Sequence, residues 1–237
     1  MKRLFENWHK YLIENQERKV NIFLDMDGVL VDFPTALKIY IKSIYAMDPD
    51  ELHPESKNSR RVLRKLQQLQ LNDEGIDALY DRSEHKFRSG GKYDPEEKIM
   101  SDYVFKALLD NRELWLSMNK LEGADALVNR VFELADKVFV LTAQVDETSK
   151  IAKKDWIAAK DHFPQIDPDN VLVDREKGAR LRSLINVGRV SENDLNILID
   201  DRRKFLDDFI AAGGIGIQYN FESPGRAFQE LERIIAN

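Results

Sequence analysis

The 237-residue chain contains no cysteine. That excludes disulfides and thiolate metal sites, and such usage suits a reducing compartment. Long hydrophobic runs are missing too, so no segment reaches the length of a membrane span. A signal-peptide core is also absent, because Lys10, Glu14, Glu17, Arg18 and Lys19 interrupt the N-terminal stretch. Positive charge is in deficit: 36 Lys and Arg against 42 Asp and Glu leave a formal charge of −6. This balance argues against a broad nucleic-acid or membrane-binding surface, but not against a small anionic substrate. Glycine-rich nucleotide loops are lacking, since Gly213-Gly214-Ile215-Gly216 opens no helix at the required spacing and reads as a turn into a last strand. Histidine is scarce, and His53, His85 and His162 show no metal-ligand spacing. These exclusions leave a cytoplasmic protein as the expectation. Its 43% hydrophobic and 33% charged residues suffice for one large domain carrying an inserted module.

What is present is organised around Asn21-Ile-Phe-Leu-Asp-Met-Asp-Gly-Val-Leu-Val-Asp-Phe33. An apolar run from Val20 to Leu24 ends on Asp25 and Asp27, with Gly28 after them. Short apolar runs bounded by turn signals read as buried strands. Further runs of this kind occur at 138–142, 171–173, 195–199 and 216–219, with helical patterns between them. Strands alternating with helices predict an α/β fold built on a doubly wound, Rossmann-like parallel sheet. Between Pro34 and Asn111 no strand-like run occurs; the pattern is helical, polar and punctuated by Ser89-Gly90-Gly91 and Asp94-Pro95. The expected organisation is a core of residues 1–33 and 112–237, with an inserted helical cap over 34–111. Residues 3–17 read as an amphipathic helix, with Leu4, Phe5, Trp8, Tyr11 and Leu12 on one face.

A parallel sheet gathers the carboxyl ends of its strands at one edge, where open α/β folds keep their active sites. Here that edge would carry Asp25 and Asp27, Thr142, the Asp174–Lys177 segment, and Asp200 with Asp201. Clustered carboxylates repel each other by about 4 kcal/mol per pair at 4 Å and an effective dielectric near 20. A hard divalent cation removes that cost, and oxygen ligands suit Mg²⁺. The pattern points to phosphoryl transfer to an aspartate. Asp25 is the expected nucleophile and Asp27 the expected general acid and base. Asp25 and Asp200 would bind Mg²⁺ through side chains and Asp27 through its carbonyl, with Asp201 behind them. Thr142, Lys177 and Gly28 are expected at the phosphate. Phe33 and Trp115 are candidates to stack on a base.

These motifs resemble those of the haloacid dehalogenase (HAD) superfamily: Asp25-Met-Asp-Gly-Val-Leu its first, Val140-Leu-Thr142 its second, Lys177 its third and Ile199-Asp-Asp201 its fourth. The acid at Asp27 matches its phosphatase and phosphomutase branches, and the long insert lies where that superfamily places a cap. More narrowly, the chain resembles the 5'(3')-deoxyribonucleotidases at Asp25–Phe33, Leu114-Trp115, Glu122-Gly-Ala124, Lys154-Asp-Trp156, Asp174–Lys177 and Leu198–Asp201. That resemblance implies a Mg²⁺-dependent nucleoside monophosphate phosphatase, with base contacts from the cap, in a homodimer. The chain departs from it at Ala143-Gln144 and in a longer, more charged cap. The alternatives are a sugar phosphate, the 3'-phosphate of a polynucleotide, or a non-catalytic HAD-fold binding module.

Overall fold

The computed structural model describes residues 18–51, 57–104, 112–144, 146–159 and 162–236. The expected helix over 3–17, His53 and the end of the cap at 105–111 lie outside them.

Five strands form one parallel sheet in the order β3-β2-β1-β4-β5: β1 Val20–Leu24, β2 Lys137–Thr142, β3 Val171–Val173, β4 Leu195–Asp200 and β5 Ile215–Gln218. Each lies within about a residue of its expected position. β1 sits in the centre and is buried at every residue. Strands covered on both faces carry continuous apolar runs, which is why they were legible. Successive side chains point to opposite faces. On one face Ile22, Leu24, Val140, Ile197 and Ile199 join a large apolar cluster. On the other, Phe23 stacks on Phe139 at 4.7 Å and meets Phe209 edge-on at 5.3 Å. Asn21 and Asn196 pair at the opposite end of the sheet, Nδ2 donating to Oδ1 over 3.0 Å, and so fix the register of β1 against β4.

Ten helices are described. Between β1 and β2 come first α1 Phe33–Tyr45, α2 Lys57–Gln67, α3 Asp73–Ser89 and α4 Pro95–Tyr103. The core carries α5 Arg112–Leu116, α6 Ala124–Leu134, α7 Glu147–Ala158, α8 Lys177–Asn186, α9 Arg203–Ala211 and α10 Pro224–Ile235. α1 starts where the local chemistry favours it: the Asp32 carboxylate accepts the Thr35 N–H over 3.2 Å, and Pro34 sits in the first turn. Its buried face of Leu37, Ile41 and Ile44 belongs to the same apolar cluster as Ile22 and Leu24. The cluster reaches the insert through Val29, Leu30 and Val31, which follow the acidic motif. The helices over the site are therefore packed onto the sheet rather than tethered beside it. Among the described residues, no helix is long and apolar enough to cross a membrane.

Candidate active site

The register of the sheet assembles the site. Leu24 pairs with Ile199, so Asp25, one step on, lies beside Asp200; the Asp25 N–H donates to the Ile199 carbonyl over 2.9 Å. Thr142 ends the neighbouring β2, and the Asp174 N–H donates to its carbonyl over 2.8 Å, turning the chain from β3 toward α8. Asp25, Asp27, Thr142, Lys177, Asp200 and Asp201 are thus brought to one edge from positions up to 176 residues apart.

Lys177 is fully buried, and its ammonium bridges Asp25 Oδ1 at 2.7 Å and Asp200 Oδ2 at 2.5 Å. Burial alone would lower its pKa; the charges of Asp25 and Asp200 outweigh burial and hold it above the ordinary lysine value. The lysine sits at the first position of α8, where the helix dipole disfavours a cation. The two carboxylates account for it being there. Asp200, also fully buried, is pushed up to about 7, chiefly by burial and next by the charge of Asp25.

A second lysine, which the motifs do not single out, lies beside these acids. Lys153 on α7 is fully buried. Its ammonium contacts Asp27 Oδ2 at 2.6 Å, Thr142 Oγ1 at 3.1 Å and the Ala143 carbonyl at 2.7 Å. The signal for it was available. The buried residues of α7 are Ser149, Ala152, Lys153, Trp156 and Ile157, the i, i+3, i+4, i+7, i+8 pattern of an inward face. A lysine on that stripe needs an anion.

Asp27 keeps 31% of its side chain exposed, yet its Oδ1 is buried and has no hydrogen-bond partner. Burial raises its pKa, opposed by Lys153 and reinforced by the charge of Asp25. Gly28 lies in the left-handed region at φ +80°, and a Cβ there would stand 2.8 Å from Asp201 Oδ2. Its N–H, expected at a phosphate, donates instead to the Val31 carbonyl over 2.9 Å. Gly28 serves by letting Asp201 approach the acidic loop closely.

Each of Asp25, Asp200 and Asp201 offers a carboxylate oxygen within 4.8 Å of the others. Three hard oxygen donors at this spacing, two of them on buried residues, fit a divalent cation such as Mg²⁺. Histidines take no part among the described residues: His85 is exposed, and His162, half-buried rather than on the surface, stacks on Trp156 at 3.9 Å.

Above the acids lies a pocket of about 300 Å³, lined on its apolar side by Phe33, Tyr80, Phe87, Val104, Trp115 and Phe205. Phe33 and Trp115 stack on each other at 5.2 Å, and Trp115 is fully buried with the Lys153 ammonium 4.8 Å from its ring centroid. Both Phe33 and Trp115 line the pocket. Phe87 and Phe205 reach the pocket from α3 and α9.

The parallel five-stranded sheet with its flanking helices has the HAD-like, Rossmann-type fold. A predicted phosphatase from Clostridium acetobutylicum superposes with a TM-score of 0.53 at 13% identity, over 93% of this chain and 99% of that one. A haloacid dehalogenase-like family hydrolase from Xanthomonas campestris superposes with a TM-score of 0.50 at 12% identity, over 94% and 96%. No family model matches the sequence, and no curated protein is significantly similar to it.

Proposed function

We propose that the protein is a Mg²⁺-dependent phosphomonoester hydrolase that forms an aspartyl-phosphate on Asp25 and acts on a nucleoside monophosphate. One observation carries this reading. A buried Asp25 oriented by Lys177 shares a pocket with a second acid, Asp27, whose Oδ1 is buried and unpartnered. A nucleophile and a separately tuned acid side by side are what a two-step phosphoryl transfer requires.

In the first step a carboxylate oxygen of Asp25 attacks phosphorus and the ester P–O bond breaks, while Asp27 gives its proton to the leaving alkoxide. In the second, Asp27 takes a proton from water, whose oxygen attacks phosphorus and releases Asp25. Lys177 holds Asp25 Oδ1, leaving Oδ2 to react. Lys153 and the Thr142 hydroxyl, already in contact at 3.1 Å, face the phosphate oxygens. A phosphate reaching Lys153 draws that cation away from Asp27, so Asp27 keeps a proton more readily. Asp25 and Asp200, with the Asp27 carbonyl, would hold Mg²⁺, and Asp201 supports them. Bound there, the ion screens the clustered carboxylates and withdraws charge from the phosphate.

The apolar wall of the pocket favours a substrate with a flat, weakly polar body over a bare sugar phosphate. A phosphate-release screen in Mg²⁺ over nucleoside monophosphates and sugar phosphates tests the assignment. The expected result is highest kcat/KM for nucleotides and no release by Asp25→Asn. Preference for sugar phosphates would overturn the substrate class, and activity in Asp25→Asn the mechanism.

A further inference from the structure

We propose that the substrate carries a second phosphate besides the one hydrolysed, and that this second phosphate rests on a cationic shelf at the mouth of the pocket. The proposal rests on the phosphatase reading and narrows its substrate class to nucleotides with two phosphate groups.

The pocket does not end at its aromatic wall. It continues into a groove of about 1150 Å³, and Phe87, Arg175, Asp201, Arg202 and Phe205 line both. Farther out the groove adds Arg182, Arg203 and Lys204. Arg203 is paired with Asp207 at 2.8 Å. Arg175, Arg182, Arg202 and Lys204 make no ion pair with any carboxylate among the described residues. The acids of the groove, Glu176, Asp201 and Asp208, offset them only in part; Asp208 also accepts the Gly178 N–H over 2.7 Å. Five cations against three acids thus line one concave surface of a chain whose net charge is −6, next to the proposed phosphate site.

Arg202 separates this arrangement from a solvated surface. Its guanidinium lies 5.3 Å from the centre of the Phe87 ring and 5.0 Å from that of Phe205. Its backbone N–H donates to Asp200 Oδ1 over 2.8 Å. A half-buried guanidinium held by two rings, beginning one step from the acid cluster, has a fixed direction. Such a planar fork binds phosphate in two parallel hydrogen bonds at little entropic cost. Its neighbours Arg175 and Arg182 extend the positive potential outward. The second phosphate can be a free monoester at the far end of one nucleotide or the diester to the next nucleotide. Both present the same oxygens to the shelf.

The test compares kcat/KM for three substrates: a nucleoside 5'-monophosphate, the matching 3',5'-bisphosphate and a 5'-phosphorylated dinucleotide. Each is run at low and high salt, with the wild type and an Arg182→Gln/Lys204→Gln variant. A charge-assisted contact supports roughly a tenfold preference for at least one two-phosphate substrate, expressed mainly in KM. That preference should shrink with salt and fall in the variant, where Arg202 and Arg175 remain, while monophosphate turnover stays unchanged. The better of the two substrates then identifies a free nucleotide or a chain end. Equal kcat/KM for all three, or a loss in the variant spread evenly over them, overturns the shelf. If no phosphomonoester is turned over, the phosphatase reading fails, and calorimetry decides the shelf alone. Tighter binding of the bisphosphate than of the monophosphate, weakened in the variant, sustains it, and equal binding refutes it.

Discussion

At the residue scale the site is two lysine–carboxylate groups with different tasks. Lys177 neutralises Asp25 and Asp200, and removing it leaves two buried acids facing each other. Losing one partner of a buried ion pair costs about 3–5 kcal/mol. Lys177→Met should therefore lower thermal stability measurably in metal-free buffer, and adding Mg²⁺ should restore part of the loss. An unchanged melting temperature would mean the two acids are not ionised together. Lys153 serves Asp27 and Thr142, so its loss should fall on catalysis. Asp27→Asn should slow turnover by about 10²–10⁴-fold while leaving metal binding intact, which paired kinetics and titration calorimetry check. On the proposed reading Asp27 acts in the first step as an acid, and burial raises its pKa. Where that step limits, its proton is present below that pKa and gone above it, so turnover should decline on the alkaline side. These two lysines also mark where the sequence was readable and where it was not. Lys177 follows directly on a strand and its turn. Lys153 lies inside a helix, and only the 149, 152, 153, 156, 157 stripe shows that it points inward.

At the element scale, the acid-bearing loop after β1 is positioned by a backbone that tolerates no side chain at Gly28. Three N–H groups, those of Val29, Leu30 and Val31, converge on the Met26 carbonyl and curl the chain so that Gly28 touches Asp201. Gly28→Ala should cost about 1–2 kcal/mol from the left-handed conformation. It should also weaken Mg²⁺ binding by displacing Asp201, and calorimetry of the folded variant would show it. A variant with unchanged affinity would place Asp201 outside the metal's reach. The strands were legible because each is a short apolar run that stops at a polar residue, and parallel pairing then dictates where those residues meet. The insert was legible only as helical. Its packing was not, because the faces of α1, α2 and α4 that join the sheet's apolar cluster meet it through side chains distant in sequence. The Phe33–Trp115 stack is a case of this: two residues 82 apart stack on each other at the pocket they both line.

At the scale of the whole molecule, the acid cluster ties stability to pH and to metal. The folded-state pKa of Asp200 is raised to about 7 from the ordinary carboxylate value of 3.8. The folded protein thus binds a proton that the unfolded chain has already released. Its contribution is fully present below about pH 4 and is lost as pH rises through about 7 in metal-free protein. On the proposed reading Mg²⁺ binds the ionised acids, so the rise in melting temperature on adding it should grow from pH 5 to pH 8. A rise independent of pH would place the cation elsewhere. The candidate site lies between the sheet edge and the helices beside it, and in the proposed reaction the phosphate reaches Asp25 there. The most direct measurement is mass analysis of the Asp25 peptide after acid quench during steady-state turnover in Mg²⁺. The account predicts a phosphoryl adduct on Asp25, no adduct and no turnover in Asp25→Asn, and accumulation of the adduct in Asp27→Asn wherever breakdown is slowed more than formation. Phosphate release that continues with Asp25 replaced would contradict it.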